Sequence, residues 1–499
     1  MKEEGEKVVE KRLDKVKIWL KNPYNLTLIG ILLFAFTIRL YYLIITNNQP
    51  LWWDEAEYMA TAKHWAFGVP YELNPQRLPL FQLIATIPLL FGLGETFIKF
   101  TLVLLPSVFL VFAIYLLGKE MFNKKVGLIA AFLTTVSWTF IFWTPRVQPD
   151  FFSMIFQVLS VLFIWRYWKD NKSKYMIFAG IFAALGLHFK ISALLLPLIF
   201  FIFILIKDRL SAFKNKDNYY FLIAYLATMV PYFIWSYLNF KTFTAFTYST
   251  TSQIINKVPF AWYNINWFYV LAEGALFILF LAGLVISLKF IFYLDILAKD
   301  KKKCFDSGLF SLIVFVCVTA FYIFWIRGGE DRHVFLILPF IFILIGNAAI
   351  SIYNFGKKYS KILSVILVLA LLIWGAYAQL NHASEIIKSR QGSYMPVKEA
   401  ALWIKENSLP TDIVMTKSRT QTTYYAERGV KGLSDFENAS AFDEYLKENK
   451  PRFLELSIFE NHPSWAYPWP NEDNSKIVQA YFIDAEQKQP ALIIYELKY

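Results

Sequence analysis

The chain has 499 residues, 57% of them hydrophobic and 19% aromatic, with 50 Lys and Arg against 38 Asp and Glu for a net charge of +12. Soluble domains keep about 45–50% apolar residues, so this composition excludes an ordinary soluble enzyme and describes a chain that crosses a membrane many times. The positive excess lies largely in short connections between apolar runs, where basic residues set orientation, and that placement excludes a nucleic-acid surface as its reason.

Residues 1–21 are rich in Lys and Glu, lack a small-residue cleavage site, and read as a cytoplasmic N-terminal segment rather than a cleaved signal. A membrane domain over 22–379 follows. Its apolar runs of roughly 17–25 residues each suffice to cross a bilayer core of about 30 Å. Spans are expected near 26–46, 97–117, 126–142, 150–168, 175–189, 191–206, 219–239, 266–294, 308–326, 333–353 and 361–379, about eleven net crossings by that length criterion. The pair 175–189 and 191–206 is short for two crossings. Lys119–Lys125, Arg166–Lys174, Lys207–Lys216, Lys299–Lys303 and Lys357–Lys361 then face the cytoplasm, as the positive-inside rule requires. Leu80–Gly92 is apolar too, yet counting it as a crossing would put every later Lys-rich loop outside. With Pro79 before it and Pro88 within it, we read it as re-entrant or interfacial.

In the first external loop, 47–79, Ala56–Phe67 reads as an amphipathic helix lying in the membrane plane. Tyr58, Met59, Trp65 and Phe67 would face the interface, and Glu57, Lys63 and His64 water. Phe240–Phe268 reads as a second external segment able to cover a cleft. Residues 380–499 change composition and read as a small extracytoplasmic α/β domain. Helices are expected at Val397–Lys405 and Phe442–Glu448, and strands at Ile413–Met415, Phe453–Ile458 and Ala491–Tyr495. This part holds no Gly-rich phosphate loop and no nucleophile motif. Its aromatic tract Trp465–Trp469 reads as core packing or a rigid loop before it reads as a sugar platform. Cys304 and Cys317 give no disulfide framework, and His64, His382 and His462 have no metal-ligand spacing.

Charges at membrane depth are costly unless paired or watered, so ionisable residues at span ends point to function. Here they fall on one side. Asp54 and Glu55 stand in the first external loop and Arg77 closes it; Arg146 and Asp150, then His188 and Lys190, occupy the next external turns; Arg327, Glu330, Asp331, Arg332 and His333 occupy the last. Arg39 lies in the outer half of the first span. A polar cavity opening outward accounts for this convergence. A merely polar loop would account for 327–333 alone, and snorkelling to headgroups for Arg39.

The stretch Phe36-Thr37-Ile38-Arg39-Leu40-Tyr41 with Leu51-Trp52-Trp53-Asp54-Glu55-Ala56-Glu57-Tyr58 resembles the first span and loop of the GT-C glycosyltransferases. It is similar to the protein O-mannosyltransferases and to the lipid A aminoarabinose transferase. The resemblance continues in family order at Arg77-Leu78-Pro79, Arg146 to Asp150, His188-Phe189-Lys190 and Arg332-His333. It implies an inverting, polytopic membrane enzyme that takes a monosaccharide from a polyprenyl- or dolichyl-phosphate donor on the outer side, mannose being the family-weighted sugar. Asp54 corresponds to the proposed base; Glu55 would orient it or bind the acceptor. Arg77, Lys190, Arg332 and His333 would hold the donor phosphate, since guanidinium forks match phosphate oxygens and Lys supplies a point charge. Arg39, Arg146 and Asp150 would support them, Arg146 pairing with Asp150. The acids are adjacent rather than spaced, which favours a monophosphate donor without an obligatory metal, although a divalent ion would fit between Asp54 and Asp150 if these approach. The acceptor, whether lipid, glycan or protein hydroxyl, stays open. The competing class is a transporter or flippase of lipid-linked sugars, which would also line a membrane cavity with polar groups.

Overall fold

The computed structural model describes residues 19–248, 265–291, 299–327, 330–483 and 489–499. Among these, eight helices are long and apolar enough to cross a membrane: Pro23–Ile45, Glu95–Met121, Asp150–Asp170, Ile191–Lys214, Lys216–Phe240, Asp306–Ile326, Asp331–Gly356 and Lys361–Ser389. The other three expected spans are short or broken. Lys174–Phe189 has 16 residues, about 24 Å of helix. The run 266–294 is split at Gly274 into Asn266–Leu271 and Ala275–Ile291. The run 126–142 breaks at Ser137 into Lys124–Val136 and Trp138–Trp143. Of the segment expected to cover a cleft, residues 249–264 lie outside the described residues, as do the side chains of Lys299–Lys303.

The break at Ser137 explains Arg39. A helix end leaves its last carbonyls unpaired, and in a membrane interior no water is there to satisfy them. Arg39, fully buried, donates to the carbonyls of Thr134 at 3.1 Å and Thr135 at 3.2 Å. On the far side of the break, the Trp138 N–H donates to Gln379 Oε1 at 3.0 Å. Arg39 is therefore a helix cap inside the bundle. It neither snorkels to headgroups nor lines a cavity. Elsewhere the helices approach closely through glycine: a Cβ on Gly180 would stand 2.3 Å from the Phe221 carbonyl oxygen.

The basic connections gather at one end of the bundle. Lys169 pairs with Glu120 and Lys207 with Asp306, while Lys124 lies over Tyr24 and Lys125 over Tyr353. The Asp54 loop, the 144–149 turn, Lys190 and the 330–333 turn meet at the opposite end.

At that end sits a five-stranded sheet of order β2-β1-β3-β5-β4, with β1 Ile413–Thr416, β2 Gly429–Gly432, β3 Phe453–Ser457, β4 Ser475–Tyr481 and β5 Leu492–Leu497. β1 runs parallel to β2 and β3, and β5 antiparallel to β3 and β4. Side chains alternate across a strand, which gives the sheet two different faces. Met415, Leu454 and Leu456 pack against Phe442, Leu446 and the tract Trp465–Trp469. Trp465 and Trp469 both contact the Phe442 ring, so the aromatic tract is core. Val414, Phe453 and Ile494 face the other way, toward Met395–Asn407 and Arg419–Ala426, in a core continuous with Met59 and Phe81.

That continuity overturns one expectation. The helix expected at Ala56–Phe67 forms as Trp53–Phe67, but its residues Glu55 to Ala62 are buried. Leu80–Leu90 covers one side and Arg419–Ala426 the other. Glu57 and Met59 face neighbours rather than water or lipid, because the sheet domain shields what the loop alone would expose. Leu80–Leu90, 11 residues and about 17 Å long, is too short to cross and leaves Leu83, Ile87 and Leu90 exposed, as an interfacial helix does.

Candidate active site

Helix Trp53–Phe67 sets the geometry. Glu55 accepts from the Trp52 backbone N–H at 2.7 Å, closing the first turn from within, and Gly68 ends the helix in the left-handed region at φ 71°. Acids in a first turn also suit the positive end of the helix dipole.

Asp54 leaves this turn toward a cavity of about 800 Å³. Its Oδ1 accepts from Arg77 Nη2 at 2.5 Å and its Oδ2 from Arg332 Nη2 at 2.5 Å. Arg77 is aimed by Glu57, which accepts from its Nε at 2.6 Å, and Arg332 by Glu330, 2.6 Å from its Nε. Burial alone would raise the Asp54 pKa; the charges of Arg77 and Arg332 outweigh it and hold the carboxyl well below the usual carboxylate range. Across the cavity Lys190 pairs with Asp150 at the start of helix Asp150–Asp170. His333 lines the same wall, stacked on Tyr322 and accepting from the Glu330 N–H at 2.9 Å.

Thus Asp54, Arg77, Asp150, Lys190, Arg332 and His333 all line one cavity. Three expected residues do not. Arg39 caps the broken helix. Glu55 is 1% exposed and turned inward, where Val147 N–H donates to it at 2.5 Å and Arg146 Nη1 lies 3.5 Å away. Arg146 pairs with Glu55 and lies 3.5 Å over the Trp52 ring, so the expected pairing with Asp150 is not made. Glu55 and Arg146 bolt the 144–149 turn onto the helix that carries Asp54.

Sequence reasoning passed over Gln148, Tyr58, Tyr322 and Trp325, which also line the cavity. A polar residue between Arg146 and Asp150 was the available signal for Gln148; the aromatics are indistinguishable in sequence from other span residues. Away from the polar groups the wall turns apolar, with Leu194, Leu195, Leu198, Phe321 and Trp325. Leu194, Leu198 and Trp325 are about half exposed on the outer surface of the bundle, so the cavity opens sideways toward lipid.

Residues 78–235 match the family model described as dolichyl-phosphate-mannose-protein mannosyltransferase. ArnT from Cupriavidus metallidurans bound to undecaprenyl phosphate superposes with a TM-score of 0.66 at 12% identity, over 94% of this chain and 98% of that one. The chain shares the fold of this ArnT structure. The archaeal oligosaccharyltransferase AglB from Archaeoglobus fulgidus, in complex with an inhibitory peptide and a dolichol-phosphate, superposes with a TM-score of 0.61 at 12% identity, over 88% of this chain and 70% of that one. The A. fulgidus enzyme in complex with Zn and sulfate gives 0.60 at 15% identity, over 86% and 68%. No curated protein sequence matches. The chain is an integral membrane protein with an ArnT-like membrane part and a small sheet domain at its C-terminal end.

The Zn in that A. fulgidus structure raises the question of a metal here. Among the described residues no group of three or more His, Cys, Asp and Glu side chains could hold one. Asp54 pairs with two guanidinium groups and Asp150 with Lys190. Each of these acids is matched here by cations of the chain itself.

Proposed function

We propose that the chain is an inverting glycosyltransferase that moves a monosaccharide from a polyprenyl- or dolichyl-phosphate donor to an acceptor hydroxyl, with Asp54 as general base. The observation that carries this reading is the cavity's two-part character: Asp54 among Arg77, Lys190 and Arg332 at one end, and an apolar wall open to lipid at the other. An isoprenoid phosphate ester has the same two parts. The family model and the lipid phosphates named in the two superposed structures support the same donor class.

In this mechanism the acceptor oxygen attacks the donor's anomeric carbon on the face opposite the phosphate. The carbon–oxygen bond to phosphate breaks through an oxocarbenium-like state, its electron pair leaves on the phosphate, and the acceptor proton passes to Asp54. Phosphate is already a good leaving group and needs cations rather than an acid; Arg77, Arg332 and Lys190 supply them. One feature of the resting site becomes functional here. Asp54 is a poor base while both its oxygens are held by guanidinium groups. An arriving phosphate competes for Arg77 and Arg332, loosens their hold on Asp54 and raises its basicity only when donor is bound.

By the positive-inside rule the Lys-rich end faces the cytoplasm, together with the N-terminal segment. The cavity, and the sheet domain that follows the 22–379 membrane domain, then stand outside. The test is to incubate the purified protein with labelled polyprenyl-phosphate sugars, mannose first, and to follow free polyprenyl phosphate. Release of free lipid phosphate supports the reading. Movement of intact donor across vesicles without release would replace it with a flippase.

A further inference from the structure

Asp54 is touched by a second cavity, of about 430 Å³, walled by Trp52, Trp53, Trp143 and Tyr394. That volume lies within the roughly 300–1,000 Å³ of small-ligand pockets. Asp54, Gln148, Glu330 and Arg332 line both cavities, whereas Lys190, Leu194 and Leu198 line the first alone. A molecule held here would meet Asp54 from the side away from the apolar channel.

Three observations describe that molecule. Trp53 is 37% exposed and, among the described residues, its ring stacks on no other ring, leaving a flat apolar plate beside the base. Tyr394, in the turn between the last span and the sheet domain, is held at φ 62°, a backbone conformation that is an outlier for a bulky residue and collects at functional sites. Gln148 is 2% exposed and its Oε1 has no hydrogen-bond partner. Buried amide oxygens are nearly always paired, so this one is suited to a donor from outside the chain, at the junction where the acceptor hydroxyl must sit. The walls carry the acids Asp54, Glu330 and Asp331 against Arg332 and Arg390, which disfavours an anionic headgroup. Ring faces beside acids and an amide match a sugar ring, which offers flat C–H faces and a rim of hydroxyl donors.

Resting on the transferase reading, we infer that this second cavity takes a saccharide acceptor, stacked on Trp53 and Tyr394, with its nucleophilic hydroxyl placed between Gln148 and Asp54. Its oxygen bonds to the donor's anomeric carbon, its proton goes to Asp54, and the phosphate departs with the bonding pair.

The full-length protein in lipid nanodiscs is given a polyprenyl-phosphate sugar together with octyl mannoside, octyl glucoside or octyl N-acetylglucosaminide, and in parallel with a Ser/Thr-rich peptide or phosphatidylglycerol. A glycoside that gains one sugar is the expected product. Trp53→Ala then raises the glycoside KM about tenfold, Trp53→Phe recovers much of that, and polyprenyl-phosphate affinity stays within about twofold. Gln148→Leu lowers kcat with glycoside, and Gln148→Asn lowers it less. Transfer to peptide or phospholipid but to no glycoside overturns the inference. So does hydrolysis of donor without glycoside product, or a glycoside KM unmoved by both Trp53→Ala and Tyr394→Ala. Failure to release lipid phosphate from any donor would instead sink the transferase reading itself, and this inference with it.

Discussion

Asp54 and Glu55 are chain neighbours in one helical turn, yet they occupy opposite environments. Asp54 faces a cavity and is balanced by two guanidinium groups that belong to separate loops. Glu55 faces the protein interior and is balanced by two backbone N–H groups and Arg146. Successive residues on an α-helix point about 100° apart, and that rotation alone separates a group that can meet substrate from one that holds the scaffold. The acid that resembles a catalytic pair in sequence is, in space, one candidate base and one internal clamp.

The sharpest way to break this contrast is to neutralise each acid in turn. Asp54→Asn keeps shape but removes the proton acceptor, and transfer should fall about 10²–10⁴-fold with donor affinity retained, since Arg77 and Arg332 stay free for phosphate. Donor-dependent release of lipid phosphate measures the first and equilibrium binding the second; near-normal turnover in the Asn variant would end the base assignment. In the wild-type protein the pH profile sharpens the point. The free enzyme holds Asp54 well below the usual carboxylate range, and donor binding relaxes that hold. The acid limb of kcat should therefore lie at higher pH than the acid limb of kcat/KM, because the two report the bound and free enzyme respectively.

Glu55→Gln should act on stability instead. It strips charge from two buried hydrogen bonds and leaves Arg146 buried without its partner, a loss of about 3 kcal/mol. Thermal unfolding should report it, while the molecules that remain folded keep most of their turnover. A fall in kcat as deep as that of Asp54→Asn would return Glu55 to the chemistry. Lys190→Ala comes next in size. It removes one phosphate cation and should weaken donor binding about tenfold, with partial recovery in Lys190→Arg; unchanged affinity would move the phosphate site elsewhere.

Much of this architecture was legible before any coordinates. The long spans declare themselves through runs of apolar residues, and in the sheet domain the strands at Ile413–Met415, Phe453–Ile458 and Ala491–Tyr495 appear within a few residues of their expected places. Helix Arg419–Ala426 and strands β2 and β4 went unread, since Thr420–Thr423 mimics a polar loop and β4 buries only Ser475 fully. At the site, Asp54, Arg77, Asp150, Lys190, Arg332 and His333 line one cavity, where each charge finds a partner that offsets the cost of burial at membrane depth. What sequence did not contain was helix phase and cover. Glu55 and Arg146 turned inward together, Arg39 was recruited by a helix break at Ser137 that hydropathy does not reveal, and helix Trp53–Phe67 lost its interface to a domain more than 300 positions along the chain, as the Thr420 hydroxyl bond to the Trp53 carbonyl shows.

A third carboxylate extends the comparison. Glu455, on β3, is fully buried like Glu55, but its hydrogen bond comes from a neutral hydroxyl, that of Thr422 at 3.1 Å. Burial without a cation pushes its pKa up to about 7. The sign follows from proton counting. Between the ordinary carboxylate value near 4.3 and about 7, the folded domain keeps a proton that the unfolded chain releases, so stability falls as pH rises through that window and levels off above it. Glu455→Gln holds no such proton. Its sheet domain should keep a constant midpoint over the window and exceed wild type by about a few degrees above neutrality, read by hydrogen exchange on β1 and β3. Parallel pH profiles for variant and wild type would mean that Glu455 stays ionised in the fold, and that a buried carboxylate here needs neither a guanidinium nor a backbone clamp.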